Sequence, residues 1–475
     1  MGRQVDVKNL SEYGFVIALL IGGFTLYHWS FTQAPVMPGI DGPYYLIQVR
    51  SILETGVLTH DDPPLTFYLF ALFSKLVGDV YDGVIIGVSF LASLSALPIY
   101  LLMRKVTGRK LPAIASIIFF LYSAYHVRLV ADLMKNAVGI LFLAGFIYYL
   151  HDIAFKGRSK RNITLCITLL TLTTLTHILD LGVAILFLTL YTVLIPLLQR
   201  RKEFLASAGI RWASIFTVVL LGILITPYYF TDVGKGMDFV EDLVQPTQAP
   251  QQGPPRPIPG GQAPQRRLPH PILGDQMWWA IPFLVAGAVL SVKELIEGNR
   301  QKATVLIVAT TVGILLILPF IPHLWLWRFT LMEFIPLSMI LGVMLSRVKE
   351  KMMIIILSLF ILTPISIQAV RAVDSLPPSI SEVAYRDLET MKSMIPPDSI
   401  IVVPHKGVAY WVEYLLRTET TGSLSPDLVT NYRNIFTLAG PRMRVPLPPQ
   451  SQPIYRGEEL ILFKVTGALP EPRQR

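Results

Sequence analysis

Charged residues are scarce in this chain of 475 residues, and cysteine is almost absent. Charged side chains make up 15% of the sequence, whereas soluble globular domains carry about 25%. The single cysteine, Cys166, excludes an intrachain disulfide and a cysteine metal cluster. The sequence also lacks a Walker loop, a dinucleotide-binding glycine pattern and a His-Glu zinc motif, which argues against ATP-driven transport and against a zinc protease.

Long apolar stretches take the place of charge. Hydrophobic residues make up 52% of the chain and the mean hydropathy is +0.53. A membrane span needs about 20 mostly apolar residues. Windows of this kind are Tyr13–Phe31, Gly83–Met103, Leu111–Tyr125, Leu133–His151, Asn162–Thr176, Leu179–Leu198, Trp212–Phe230, Met277–Leu295, Thr304–Ile321, Thr330–Leu345 and Met352–Val370. The sequence therefore predicts a polytopic α-helical membrane protein with about eleven transmembrane helices.

The net charge of +9 is distributed in a way that indicates orientation rather than nucleic-acid binding. Lysine and arginine cluster on every second connection between the windows, as in residues 104–110, 156–161 and 347–351. Cytoplasmic loops of membrane proteins carry this excess of basic residues. We therefore expect a multi-pass protein of the plasma membrane, with a cytoplasmic N-terminus and an extracytoplasmic C-terminus.

The first outer loop, residues 32–82, is long and contains two predicted helices. In the segment from Gly42 to Gly56, Pro43 suits a first helical position and Gly56 suits a C-terminal cap. A second helix is predicted over Leu65–Val77, after Asp61-Asp62-Pro63-Pro64. The apolar residues of the first helix recur at helical spacing, which is typical of helices that lie along a membrane surface.

The chain divides on its hydropathy into a transmembrane domain, residues 1–370, and a C-terminal domain, residues 371–475. The C-terminal segment combines two helical patterns with two short apolar runs that are typical of buried strands. It therefore predicts a small α/β domain outside the membrane. Within the first domain, the outer loop 231–276 is rich in Pro, Gly and Gln and is expected to be flexible.

Two aspartates on the predicted outer side are candidates for catalysis. Asp41 is either a general base or metal ligand, or an aspartate that caps the following helix. Asp132 opens the predicted fourth span, and Lys135 and Asn136 follow it within one turn. Ionisable residues at membrane depth cost free energy and by default mark functional sites. A cap remains the alternative for Asp132.

Two further residues lie at span ends on the same predicted side. His177 joins the fifth and sixth windows, with Asp180 one turn later, and is either a site residue or a structural one. Arg328 lies between aromatic residues in Trp325-Leu-Trp-Arg-Phe. A guanidinium binds two phosphate oxygens with its planar fork. Interfacial anchoring beside tryptophan is the alternative for Arg328.

The first loop resembles that of a known superfamily. The run Asp41-Gly-Pro-Tyr-Tyr-Leu-Ile-Gln-Val-Arg, followed by Ile52-Leu-Glu-Thr-Gly56, is similar to the first-loop motif of oligosaccharyltransferase catalytic subunits. The long loop, its two helices and the acidic second loop resemble the GT-C superfamily of membrane glycosyltransferases. The Trp-Trp-Asp-Tyr-Gly block of those subunits is absent, and His405-Lys-Gly-Val-Ala-Tyr-Trp stands near its place. Recognition of an asparagine sequon therefore does not follow.

The resemblance implies a GT-C fold and transfer of a sugar or glycan from a polyprenyl-phosphate-type lipid to an acceptor on the outer face. It implies that Asp41 acts near the acceptor and that Asp132 is the second acid. It also implies that Arg328 holds the donor phosphate. The remaining residues predicted to bind substrate are Tyr44, Lys135, Asn136 and His177. The acceptor, whether protein, lipid or glycan, is not identified by these residues.

The departures from the family pattern leave alternatives open. Lys135 stands where the family carries a second carboxylate. Two alternatives are therefore open: a reaction with a divalent cation, Mg or Mn, held by Asp41 and Asp132, and a reaction without a metal. A transporter or flippase for lipid-linked sugars is a rival function, although such folds usually show inverted repeats and broken spans. A non-catalytic GT-C relative is a further rival.

Overall fold

The computed structural model describes residues 7–156, 159–199, 234, 237–239, 241–242, 271–318, 321–425, 428, 431–440, 443, 447 and 451–466. Within these ranges the chain is mostly helical. The helices are α1 Val7–Phe31, α2 Gly42–Thr55, α3 Leu65–Val77, α4 Val80–Leu94, α5 Ala96–Thr107, α6 Lys110–Leu121, α7 Ala124–Asp132, α8 Met134–Lys156, α9 Lys160–Thr174, α10 Ile178–Gln199, α11 Pro271–Ile296, α12 Arg300–Leu316, α13 His323–Thr330, α14 Phe334–Ser346, α15 Lys351–Asp374, α16 Glu382–Met391 and α17 Lys406–Leu416.

The apolar windows coincide with helices throughout the described part of the chain. In that part, seven helical stretches are long and apolar enough to cross a membrane, or eight if the bent pair α6 and α7 is one span. Two of the seven, Val80–Thr107 and Trp325–Ser346, join α4 with α5 and most of α13 with α14. α9 and α12 have 15 and 17 residues, which is short for a hydrocarbon layer of about 30 Å. The predicted window Trp212–Phe230 lies outside the described residues, and the count of about eleven spans stays a prediction.

Two predicted connections differ from the structure. Residues 125–132, expected as a short connection, form most of α7, because Ser123 caps the helix by accepting a hydrogen bond from the Tyr125 amide. Asp132 consequently ends α7 instead of opening the next span. Of the expected flexible loop 231–276, residues 271–276 begin α11, and nearly all the others lie outside the described residues.

The first loop folds into the two helices that its sequence predicts. α2 begins after Asp41 and ends at Gly56, which adopts φ 83° and donates its amide hydrogen to the Ile52 carbonyl. This left-handed conformation suits glycine because it has no Cβ. Gln48 is fully buried, and its side chain forms hydrogen bonds with the backbone of Thr59 and His60.

The C-terminal segment forms a five-stranded sheet with two helices. The strands are β1 Ser399–Val402, β2 Glu419–Thr421, β3 Asn434–Ala439, β4 Gln452–Arg456 and β5 Ile461–Lys464. Their order is β2-β1-β3-β5-β4. β1 runs parallel to β2 and β3, whereas β5 pairs antiparallel with β3 and β4. The small α/β fold expected for this segment is therefore present. β1 is buried along its whole length, as its apolar sequence predicts.

The chain divides into two compact units. The first comprises Met1–Tyr27, Asp61–Thr66 and Val88–Asp374, and the second comprises His28–His60, Phe67–Gly87 and Ser375–Arg475. The first unit holds most of the apolar helices. The second unit contains α2 and α3 together with the C-terminal sheet. The division at residue 370 that hydropathy suggests stays a prediction.

Asp387 of α16 fastens this helix to the turn between β4 and β5. Its carboxylate accepts hydrogen bonds from the backbone amides of Glu458, Glu459 and Leu460 and from the Tyr455 hydroxyl, at 2.9 to 3.2 Å. Burial raises the pKa of Asp387, but the amides of Glu459 and Leu460 and the Tyr455 hydroxyl outweigh this effect and lower it below 3.8.

We expect Asp387→Asn to destabilise the second unit by about 2–3 kcal/mol, because the amide that replaces one oxygen cannot accept these bonds. Since the folded pKa of Asp387 lies below the unfolded value, its contribution is complete above the unfolded pKa and is lost as pH falls through the folded one. Hydrogen exchange of residues 451–466 in the full chain, measured against pH, checks both effects. Glu382→Gln on the exposed side of α16 is the control, and equal exchange in the two variants would contradict the assignment.

Candidate functional site

Asp41 occupies the position that precedes α2 in the second unit. Its backbone has φ −88° and ψ −4°, its carbonyl oxygen accepts a hydrogen bond from the Tyr45 amide at 3.3 Å, and its side chain makes no capping hydrogen bond. The half-buried carboxylate is thus not used to cap the helix. The role of Asp41 as a general base or metal ligand stays a prediction.

Tyr44 lies one turn after Asp41, within a cluster of rings in the same unit. Its ring stacks on His60 with the centroids 5.6 Å apart, and it lies 5.3 Å from the ring of Tyr410 on α17. His60 Nε2 is 2.9 Å from a carboxylate oxygen of Glu413, also on α17. The cluster therefore links the start of α2 to the segment that replaces the Trp-Trp-Asp-Tyr-Gly block.

Arg50 extends this attachment along α2. Its guanidinium donates to the backbone carbonyls of Tyr414 and Glu413, and Glu54 pairs with Arg417 at 3.2 Å. Successive positions of α2 therefore meet successive positions of α17, so that the two helices run in the same direction. Sequence analysis missed these partners, because residues roughly 360 positions apart show no local pattern of pairing.

Asp132 lies in the first unit and pairs with Arg128 one turn earlier on α7. Both side chains are partly buried. The pair satisfies part of the charge of Asp132 and orients its carboxylate. α8 begins at Met134, so Asp132 lies at the end of α7 and just before the start of α8.

Lys135 and Asn136 are buried at the start of α8 in the same unit. Lys135 forms an ion pair with Asp62, an aspartate that the sequence analysis did not select. The side-chain nitrogen of Asn136 has no hydrogen-bond partner among the described residues. The positive charge of Lys135 is therefore paired with a carboxylate of the protein itself. Its predicted role in binding substrate stays a prediction.

Asp180 of α10 is a second buried acid near Lys135. It is fully buried, and neither of its carboxylate oxygens has a hydrogen-bond partner in the described part of the chain. Gly139 makes room for it, since a Cβ there would lie 2.0 Å from Oδ2. The nearby His177 accepts a hydrogen bond from the Leu179 amide at 3.1 Å, which matches the structural interpretation of this histidine.

Arg328 lies on α13 in the first unit. Its guanidinium carbon is 5.4 Å from the ring centre of Trp325 and 5.5 Å from that of Trp327. Trp325 in turn donates to Asp242 at 2.8 Å. Within the described ranges, Arg328 Nε has no hydrogen-bond acceptor although it is buried. The Arg328 side chain as a whole is half-buried. A half-buried cation with an unsatisfied donor fits an anionic ligand.

An apolar groove of about 790 Å³ also belongs to the first unit. Its walls come from α1, α6 and α15 and include Phe15, Leu111, Ile118, Leu359, Ser366 and Arg371. These helices are candidate membrane spans or part of one. The groove therefore suits an apolar chain.

The predicted site residues fall in both compact units. Asp41 and Tyr44 belong to the second unit, whereas Asp132, Arg328 and the other predicted residues belong to the first. Over the described ranges, no three His, Cys, Asp or Glu side chains converge as a metal site. A divalent cation held by Asp41 and Asp132 stays a prediction.

Comparison with known proteins identifies related sequences and folds. The family model of dolichyl-phosphate-mannose-protein mannosyltransferases matches residues 61–229. No curated protein matches the sequence.

Three solved structures illustrate the likeness of the fold. The archaeal oligosaccharyltransferase AglB from Archaeoglobus fulgidus, in complex with an inhibitory peptide and a dolichol-phosphate, is 12% identical with a TM-score of 0.57, over 89% of this chain and 69% of that one. The oligosaccharyltransferase of the same organism in complex with Zn and sulfate is 13% identical with a TM-score of 0.52, over 88% and 67%. Apo ArnT from Cupriavidus metallidurans is 12% identical with a TM-score of 0.48, over 96% and 98%.

These findings confirm the resemblance that the first loop suggested. The two archaeal structures show the fold over most of the chain, and the family match covers the segment from Asp62 through Asp180. The apolar helices make it an integral, multi-pass membrane protein. The chain thus shares its fold with the archaeal oligosaccharyltransferases, and its residues 61–229 match the family model of the mannosyltransferases.

Proposed function

We propose that this protein is a glycosyltransferase that moves a sugar or glycan from a polyprenyl-phosphate-type lipid to an acceptor on the outer face of the plasma membrane. The observation that carries the proposal is Asp41, a carboxylate that begins α2 without capping it. It lies in the loop whose sequence resembles that of oligosaccharyltransferases. The apolar groove and Arg328 support a donor that combines a long apolar chain with phosphate.

The reaction needs a base and a cation. Asp41 takes the proton from the acceptor nucleophile, which forms a bond to the anomeric carbon of the sugar. The bond between this carbon and the phosphate oxygen breaks, and the polyprenyl phosphate leaves with the electron pair. Arg328 stabilises the negative charge that develops on this phosphate. Asp132, oriented by Arg128, is the second catalytic acid of the proposal.

The rival function is movement of lipid-linked sugar across the membrane. An assay in proteoliposomes separates the two. A labelled polyprenyl-phosphate hexose is supplied with membrane extract as the source of acceptor. Transfer yields labelled product and free polyprenyl phosphate, whereas transport moves the intact lipid between leaflets without product.

We expect Asp41→Asn to lower the turnover number about 100-fold or more, because an amide cannot take the proton from the acceptor. The release of polyprenyl phosphate per folded protein measures this. The control is Asp61→Asn, an exposed aspartate of the same loop, which should transfer like the unmodified chain. Undiminished transfer by the Asp41 variant would rule out its role as the base.

We expect Arg328→Gln to lower kcat/KM for the lipid donor by roughly 10- to 100-fold, since hydrogen bonds to charged groups contribute about 1.5–3 kcal/mol. Arg328→Lys keeps the charge but not the planar fork, so its loss should be smaller. Arg386→Gln, at an exposed arginine of α16, is the control. If Arg328 only anchors the protein at the interface, KM for the donor would stay the same in all three variants.

A further inference from the structure

Two predicted membrane helices of the first unit are interrupted, and each interruption lies close to a candidate site residue. α6 and α7 meet at Tyr122 and Ser123 with a bend of 43°. α13 and α14 are separated by residues 331–333. α7 ends at Asp132, and α13 carries Arg328. α13 and α14 belong to one candidate span, Trp325–Ser346, whose helix is irregular at residues 331–333. α7 and α13 therefore each carry one group of the proposed chemistry.

The two interruptions pack against each other through aromatic rings. The ring of His126, on α7, stacks on that of Phe334, the first residue of α14, with centroids 4.4 Å apart and planes at 13°. Phe120, at the end of α6, contacts both rings at 5.1 and 4.8 Å. All three side chains are buried. α7 thus packs against the start of α14, which follows the end of α13 after residues 331–333.

The break in α6 exposes backbone carbonyls that a continuous helix would satisfy, and side chains take over this task. The Tyr27 hydroxyl donates to the Leu121 carbonyl at 2.7 Å. His126 Nδ1 lies 3.1 Å from the Phe120 carbonyl and 2.9 Å from the Tyr27 oxygen. Because the carbonyl can only accept, we assign the proton of His126 to Nδ1. Unsatisfied backbone in a membrane is costly, so these bonds stabilise the bend.

The contact between His126 and Phe334 lies close in the sequence to both candidate groups, Asp132 and Arg328. Asp132 follows His126 by six residues within α7, a separation of roughly 9 Å at a rise of about 1.5 Å per residue. Arg328 precedes Phe334 by six residues in the sequence. A small rotation at the contact between His126 and Phe334 therefore moves both Asp132 and Arg328. Misplacement of a reacting group by about 1 Å can lower a rate about 100-fold.

We propose that Tyr27, His126 and Phe334 form a joint that sets the positions of Asp132 and Arg328 together, and that His126 and Tyr27 are positioning residues for glycosyl transfer. This inference rests on the proposed function. The joint uses no substrate contact: its residues act on the reaction only by holding α7 and α13 in one arrangement.

The test compares variants that remove one property each. His126→Phe keeps an aromatic ring against Phe334 and removes the Nδ1 donor. His126→Asn keeps a donor close to the position of Nδ1 and loses the ring. Tyr27→Phe removes the bond to Leu121. The matched control is His151→Phe, because His151 is also buried and its Nδ1 lies 3.1 Å from the Tyr191 hydroxyl, between α8 and α10.

We expect His126→Phe and Tyr27→Phe to lower kcat/KM for the lipid donor by roughly 10- to 100-fold per folded protein, with a lower kcat and a higher KM. His126→Asn should recover part of the loss. Hydrogen exchange of residues 124–132 and 323–330 should rise together in His126→Phe, although the substitution is on α7 alone. Because the role of His151 is structural, His151→Phe should change the amount of folded protein but leave kcat and KM unchanged.

Two results would overturn the joint. The first is hydrogen exchange of residues 323–330 that stays unchanged in His126→Phe. The second is kinetic constants of His126→Phe and Tyr27→Phe that equal those of the unmodified chain. The failure of the proposed function looks different, since the unmodified chain would then release no polyprenyl phosphate. In that case the exchange measurement alone decides whether the two helices are coupled.

Discussion

Backbone groups inside a bilayer find no water, so each must have a partner within the protein. This constraint explains why the first unit consists of helices and why its broken helix depends on particular side chains. At the bend between α6 and α7, the carbonyls of Phe120 and Leu121 receive hydrogen bonds from His126 and Tyr27. The bend in turn directs α7, the helix that carries Asp132. A local hydrogen-bonding requirement therefore decides where a candidate catalytic group lies.

Buried charge imposes a related constraint on the same unit. An ion taken out of water costs several kcal/mol unless a partner compensates for it. Lys135 has such a partner in Asp62, and Asp62 belongs to the short segment Asp61–Thr66 that the first loop contributes to this unit. The ion pair thus gives this part of the loop a defined position. Asp180, by contrast, is buried without a hydrogen-bond partner among the described residues, which marks it as a residue of interest beside Lys135.

The second unit depends on contacts between segments far apart in the chain. α2 is held along α17 by Arg50, by the pair of Glu54 with Arg417, and by the rings of Tyr44 and Tyr410. The position of Asp41 consequently depends on the C-terminal segment as well as on its own loop. This attachment to α17 fixes the position of the loop that carries Asp41, the carboxylate proposed as the base.

Local patterns in the sequence were sufficient for the membrane class, the two helices of the first loop and the buried strand Ser399–Val402. Apolar periodicity, Pro43, Gly56 and the run of isoleucine and valine act over a few residues, so their consequences can be read without the fold. The role of Asp132 as a helix end, the partner of Lys135 and the joint at His126 were not predictable in this way. They arise from side chains that meet only after the helices pack, as Asp62 and Lys135 do across 73 positions. Distance along the chain carries no signal for such pairs, and only the tertiary structure decided them.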